Sequence, residues 1–216
     1  MKVQKGYKET KLGLIPEEWE VTKLGSICEI CYGKDKKDVE DDDGIFPILG
    51  TGGIIGKANS FLYDKPSVLI GRKGTIDNPQ YYDKPFWTID TLFYTKIFNS
   101  IVPKWFFYYM CKVPLKSYNE AVGLPSLNRT NLNNIKIPLP PLSEQKKIAE
   151  ILSTVDELIA TTDSIIKETG LLKKGLMQQL FTKGIGHTKF KKTKLGEIPE
   201  EWEVKELVYI LSKEKY

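Results

Sequence analysis

The chain has 216 residues, 41% hydrophobic and 28% charged, with a formal net charge of +4 and three cysteines. Such a length builds one good-sized core with an extension, and an odd, small cysteine count excludes a disulfide framework and fits a reducing compartment. No run nears the roughly 18 apolar residues of a spanning helix, and Met1 to Thr10 is too polar for a secretion signal, so the expected setting is soluble and cytoplasmic; the mild positive charge permits a nucleic acid partner without demanding one.

The first segment, Tyr7 to Val21, returns as Phe190 to Val204 with only a few positions changed, among them Leu14, whose counterpart is Glu197; the match persists at Leu207 and Ile210. The copies stand at opposite ends, unlike the units of a solenoid, which recur every ~20–50 residues. The pattern reads as one unit followed by the start of a second that is not finished.

Cys28 and Cys31 form a C-x-x-C, read as structural because a zinc site needs a second ligand pair and the sole histidine, His187, is far away. Lys34, Lys36 and Lys37 make a basic loop, weakened by Glu40-Asp41-Asp42-Asp43, itself a solvated acidic loop with no spaced partners. Gly50 to Ala58 imitates a phosphate-binding loop, but Thr51 stands where the first glycine should be and Ala58 has no hydroxyl for magnesium, so it reads as a turn between strands.

Two apolar runs, Ser67 to Ile70 and Phe86 to Tyr94, read as strands. The first runs into Gly71-Arg72-Lys73-Gly74-Thr75, whose glycines allow close approach while Arg72, Lys73 and Thr75 offer two cations and a hydroxyl. An arginine there can take guanine with two hydrogen bonds or brace a phosphate. Asp77 to Tyr81 approaches the motif with which amino-methyltransferases grip a flipped base, yet Gln80 replaces the second proline and no glycine-rich turn for S-adenosylmethionine precedes it; a surface turn is expected. Tyr81, Tyr82, Trp87 and Phe106 are assigned to the core rather than to base stacking, and Pro103 to Met110 to a helix with proline in its first turn.

Leu127-Asn128-Arg129-Thr130-Asn131 is a second binding candidate. Asparagine suits adenine edges, and Arg129 and Thr130 suit phosphates, while the competing reading has Asn128 and Thr130 capping a short turn ahead of Leu132. Ile137 to Leu142, rich in proline, is a stiff extended connector. A long helix follows over 143–183, with Ser143 as N-cap and Glu144 at the positive end of the helix dipole.

Residues of that helix recur on one face at alternating spacings of three and four: Ile148, Ile151, Val155, Leu158, Thr162, Ile165, Thr169, Leu172 and Leu176, widened by Leu152, Ile159, Ile166 and Leu180. Such a seam, about 60 Å long at roughly 1.5 Å per residue, is too long for a domain of this size to bury, so it calls for a matching helix from a partner. The simplest partner is a second copy, parallel or antiparallel. The expected fold is α+β: a β-rich mixed domain over 1–142, the long pairing helix over 143–183, and a partial repeat over 184–216. No histidine stands near a nucleophile, and a catalytic role is not expected.

Three features together resemble the specificity subunits of type I restriction–modification systems. They are the start Lys11-Leu12-Gly13-x-Ile15-Pro16-x-x-Trp19, the strand and turn Leu69-Ile70-Gly71-Arg72-Lys73-Gly74, and the junction Ile137-Pro138-Leu139-Pro140-Pro141-Leu142-x-Glu144-Gln145-x-x-Ile148 leading into a heptad helix. The resemblance implies a target-recognition domain for half of a bipartite double-stranded DNA site. It also implies helices that form a spacer, methyltransferase subunits that bring S-adenosylmethionine, an ATP-driven restriction subunit in some complexes, and no cofactor on this chain. Two identical readers about a twofold axis imply an interrupted inverted repeat. Rival readings are a coiled-coil adaptor without DNA specificity and a self-sufficient methyltransferase, the latter disfavoured by the missing cofactor motifs. The repeated tail is expected either to take the place of the first segment in a neighbouring chain or to be a loosely packed remnant.

Overall fold

The computed structural model describes residues 5–208. Strands β1 (Tyr7–Thr10), β2 (Gly13–Pro16), β3 (Glu20–Lys23), β4 (Cys28–Tyr32), β5 (Phe46–Gly50), β6 (Gly53–Ala58), β7 (Ser67–Gly71), β8 (Gln80–Tyr82), β9 (Trp87–Thr88) and β10 (Leu92–Ile97) come first. They are followed by helices α1 (Pro103–Lys112) and α2 (Arg129–Asn134), strand β11 (Lys136–Leu139), helix α3 (Leu142–Lys183), and strands β12 (Phe190–Thr193) and β13 (Gly196–Pro199). The α+β class is as expected. The chain divides into two compact units between Val155 and Asp156.

In the first unit the centre is a sheet in the order β4-β10-β7-β8. Its strand β7 is buried throughout. Side chains alternate across a strand, so Val68 and Ile70 enter one apolar cluster with Phe106 and Met110 of α1, Leu132 of α2 and Ile137 of β11, while Leu69 enters a second with Leu49, Phe86 and Leu92. A strand covered on both faces reads as an unbroken apolar run, which is how Ser67 to Ile70 is written. The smaller sheet β6-β5-β9 stands beside the second cluster, with β5 and β6 joined by the hairpin expected over Gly50 to Ala58.

Four expectations need correction. Asp77 to Tyr81 is not simply a surface turn, because Gln80 and Tyr81 belong to β8, antiparallel to β7 with Gln80 opposite Leu69. Phe86 to Tyr94 is two strands, because the chain turns at Ile89-Asp90-Thr91, where Leu92 N–H donates to the Ile89 carbonyl at 3.0 Å. The proline-rich connector is extended, but its first part is fastened as β11, antiparallel to β3 with Ile137 opposite Thr22. Ser143 is not the N-cap: Gln145 N–H donates to the Pro141 carbonyl at 3.0 Å, which places the cap at Pro141 and Ser143 inside the first turn.

The start of α3 is bonded to the body of this unit. Gln145 is 1% exposed; its Oε1 accepts the Val102 N–H at 2.9 Å and its Nε2 donates to the Pro140 carbonyl at 3.0 Å. Trp19 Nε1–H donates to Glu144 Oε2 at 2.8 Å. Ile148, the first seam residue, packs against the domain core, whereas Ile151, Leu152 and Val155 are exposed.

In the second unit, the remaining helix leaves Leu158, Ile159, Ile165, Ile166, Leu172 and Leu176 exposed. The repeated segment folds as the same hairpin as its original: Phe190 pairs with Pro199 as Tyr7 does with Pro16, and Thr193 pairs with Gly196 as Thr10 does with Gly13. Both turns are closed alike, by Thr10 Oγ1 donating to the Gly13 carbonyl at 2.9 Å and Thr193 Oγ1 to the Gly196 carbonyl at 2.8 Å. Gly13 and Gly196 take φ of 96° and 110°, which explains the glycine at each. Leu207 lies at the end of the described chain, and the match at Ile210 falls outside the described residues. Among the described residues no helix is long and apolar enough to cross a membrane.

Candidate nucleic-acid interface

The buried strand β7 delivers its last residue, Gly71, to the edge of the core, and the turn that follows is forced by close packing. A Cβ on Gly71 would stand 2.0 Å from the Thr75 carbonyl oxygen, so only glycine allows the chain to fold back so tightly. Gly74 adopts φ of 88°, again a glycine conformation. The turn is held from two sides. Arg72 N–H and Lys73 N–H donate to the Thr91 carbonyl at 2.8 and 3.2 Å, using the break between β9 and β10 as their acceptor. On the other side Leu127 N–H donates to the Arg72 carbonyl at 2.9 Å, Gly74 N–H to the Pro125 carbonyl at 2.9 Å, and Lys73 bridges Ser126.

These bonds bring together the two segments singled out in the sequence. Arg72 and Arg129 lie over the same ring, that of Tyr32 at the end of β4, with guanidinium carbons 5.2 and 5.0 Å from its centroid. Tyr32 is itself braced edge-on by Phe93 at 5.1 Å. Arg72 is further fixed by donating to the Asp90 carbonyl at 3.0 Å and the Asp90 carboxylate at 3.4 Å. Lys73 and Thr75 stand exposed on the same turn, and Arg129 and Thr130 on α2. The arrangement is a ring with two oriented guanidiniums on rigid supports, suited to phosphate or base edges.

Asn128 is the N-cap of α2, its Oδ1 accepting the Thr130 N–H at 2.7 Å, so its carbonyl oxygen is committed to the helix end. Of the lysine loop, Lys34 follows Gly33, whose missing side chain is required by the Ile89 carbonyl 2.0 Å from where a Cβ would be. Lys34 N–H donates to the Thr88 carbonyl at 2.8 Å. Lys36 is instead paired with Glu40, and Lys37 with Asp35 at 4.0 Å.

Lys96 lies 3.2 Å from Glu29 and, hydrogen-bonded to it, holds the Glu29 carboxyl below the usual carboxylate range; Cys31 and the charge of Arg129 add to this. Burial pushes the Cys28 thiol up to about 12, and Cys31 is raised by burial and then by Glu29, so both stay protonated at neutral pH. Phe106 is fully buried, as expected, while Tyr81, Tyr82 and Trp87 are partly buried; Tyr81 receives Lys104 over its ring at 4.6 Å. Tyr32 and Asp90 were not foreseen. A tyrosine at a strand end and an aspartate in an apolar run carry no spacing signal; only the turn at Ile89 to Thr91 marks them.

A family model for the type I restriction modification DNA specificity domain matches residues 16–169. The chain belongs to that family. Among similar specificity subunits, that of the type I enzyme MjaVIII of Methanocaldococcus jannaschii is 35% identical over 227 residues, covering 97% of this chain and 53% of the relative. That of EcoDI of Escherichia coli is 24% identical over 194 residues, covering 88% of this chain and 41% of the relative. The specificity-domain chain thus spans about half the length of the relatives it matches. Its fold is similar to the crystal structure of a type I S subunit from M. genitalium, with a TM-score of 0.64 at 17% identity over 84% of this chain and 48% of that one. It is also similar to an HsdS subunit from Thermoanaerobacter tengcongensis, with a TM-score of 0.58 at 17% identity over 82% and 48%.

Proposed function

We propose that the chain is a non-catalytic reader of double-stranded DNA that directs methyltransferase subunits, and a restriction subunit where one is present, to a bipartite target. The observation that carries this reading is the convergence of Arg72 and Arg129 on Tyr32, from segments far apart in sequence that the fold ties together by backbone hydrogen bonds. Lys73, Thr75, Thr130 and Lys34 flank the pair as further contacts to phosphates. Two copies pair through the exposed seam of α3 and present identical heads, so the target is an interrupted inverted repeat. The duplicated hairpin of residues 190–204, folded as the first one is, docks on the neighbouring copy.

The test is copurification with type I modification subunits from the same organism, followed by methylation of a random duplex pool with labelled S-adenosylmethionine and sequencing of the modified molecules. The expected product is a single interrupted palindrome, with methylation absent when either component is omitted. Binding of S-adenosylmethionine by the isolated chain, or methylation without sequence preference, overturns the reading.

A further inference from the structure

Next to the arginine pair the chain builds a small loop whose chemistry the cationic contacts leave unused. It runs from Asn119 to Ser126, and one side chain closes it: Asn119 Oδ1 accepts the N–H groups of Ala121 at 3.1 Å and Ser126 at 2.9 Å, while Asn119 Nδ2 donates to the Ala121 carbonyl at 2.9 Å. Glu120 N–H adds a bond to the Ser126 carbonyl at 3.3 Å, and the Glu120 carboxylate accepts from the Asn131 side chain of α2. The closed base is then fastened to the arginine turn through Pro125 and Gly74.

This rigid base carries an apolar tip. Val122 is fully exposed, at 107%, and Leu124 is 65% exposed, with Gly123 between them. Single apolar side chains on a surface are ordinary. Two on one stapled tip, a few residues from a turn bearing Arg72 and Lys73, are a different arrangement.

We infer that Val122 and Leu124 form a wedge that enters the base stack of the bound duplex at a step next to the groups held by Arg72 and Arg129, unstacking and bending it. The inference rests on the DNA-reading function proposed above and adds to it a mechanical means of selection. Apolar side chains inserted between base steps kink a duplex by roughly 20–90°. Insertion requires an apolar tip, a base that resists being pushed back, and cations beside it that hold the backbone; Val122 and Leu124, the Asn119 staple, and the attached turn bearing Arg72 and Lys73 supply these. A protein-docking tip would sit among further apolar groups, because interface cores are depleted of charge; here the loop is tied to the turn that carries Arg72 and Lys73, by Gly74 N–H donating to the Pro125 carbonyl and by the bridge between Lys73 and Ser126, and its one carboxylate, Glu120, is engaged by Asn131. Pyrimidine–purine steps open most easily, so the wedge selects bases to which it makes no hydrogen bond.

The test uses the full chain and the duplex enriched from a random pool, with 2-aminopurine placed at each position in turn and end labels for energy transfer. Wild type should brighten 2-aminopurine at one step and bring the ends closer. The double variant Val122→Ser, Leu124→Ser, with both sites at the surface, should keep its thermal stability and the salt dependence of binding and lose both signals. Asn119→Ala, which loosens the base but leaves the tip, should reduce the bend. Tight binding by wild type with no unstacked step, or full signals from the double variant, overturns the wedge while leaving DNA reading intact. Absence of duplex binding by wild type removes DNA reading itself. A double variant that bends DNA normally but no longer copurifies with modification subunits assigns the tip to protein docking instead.

Discussion

Replacing Tyr32 by leucine removes the ring that Arg72 and Arg129 share while leaving every positive charge in place. A cation over an aromatic face at an exposed site contributes about 0.5–1 kcal/mol. Two such contacts make about 1–2 kcal/mol of ordering, and at about 1.4 kcal/mol per decade the affinity for an enriched duplex should fall about 5- to 30-fold. Arg129 should suffer more than Arg72, which keeps its bonds to Asp90. The salt dependence should not change, because no phosphate contact loses its charge; Arg72→Ala or Arg129→Ala should each flatten the slope by about one unit if its arginine sits on a phosphate. Tyr32→Phe, which keeps the face, should bind as wild type does. Fluorescence anisotropy across roughly 50 to 200 mM salt separates these cases. A Tyr32→Leu variant that binds like wild type, or a Tyr32→Phe variant as weak as Tyr32→Leu, would show that the ring does not order the pair.

Gly71→Ala puts a Cβ 2.0 Å from the Thr75 carbonyl oxygen, so the turn must open; a stability loss of about 1–3 kcal/mol and loss of specific binding should be seen by calorimetry and filter binding. Trp19→Phe removes a charge-assisted bond to Glu144 worth about 1.5–3 kcal/mol and should lower Tm by several degrees, whereas Trp202→Phe, whose ring meets His187 at 6.1 Å instead, should not; equal melting curves for the two would refute the difference. Cys28 ionises near 9 when unfolded and at about 12 when folded, so its contribution is complete below pH 9 and lost as pH rises toward 12. Urea midpoints at pH 11 should reflect a loss of about 2–3 kcal/mol from this group, absent in Cys28→Ala. Leu158→Glu with Leu172→Glu, both exposed, should leave the melting of the first unit intact and turn a dimer into a monomer in analytical ultracentrifugation; an unchanged mass excludes pairing through this seam.

What could be read from the sequence was what neighbouring residues decide among themselves. The three-and-four spacing from Ile148 onward yields α3, the unbroken Ser67 to Ile70 yields β7, and the prolines of Ile137 to Leu142 force extended backbone. The repeated segment signals a repeated hairpin because its turn depends only on Thr10, Gly13 and their counterparts. What escaped depends on contacts between distant segments. The run of aromatic and β-branched residues through Trp87-Thr88-Ile89 looks continuous, yet the chain turns there to offer the Thr91 carbonyl to Arg72 and Lys73. Tyr32 gains its place only when residues 72 and 129 arrive over it. Asn119 resembles any loop asparagine until Ala121 and Ser126 are seen to share its side chain.

The same dependence explains the junction Pro141-Leu142-Ser143-Glu144-Gln145, the most specific stretch in the sequence. A proline-rich connector followed by a long helix would act as a swivel if nothing else tied the two. Two adjacent side chains remove that freedom: Glu144 takes the Trp19 indole, and the buried Gln145 amide bonds Val102 on one side and Pro140 on the other. Neither residue can be exchanged for a merely helix-compatible one, since a buried amide group left without a partner costs about 1–3 kcal/mol. Those bonds tie the first turn of α3 to the body of the first unit. On the proposed pairing of two copies, half-sites at a constant spacing require each head to be held firmly to its own first turn of α3, and a glutamine buried at that turn, bonded to Val102 and Pro140, is the side chain that does so.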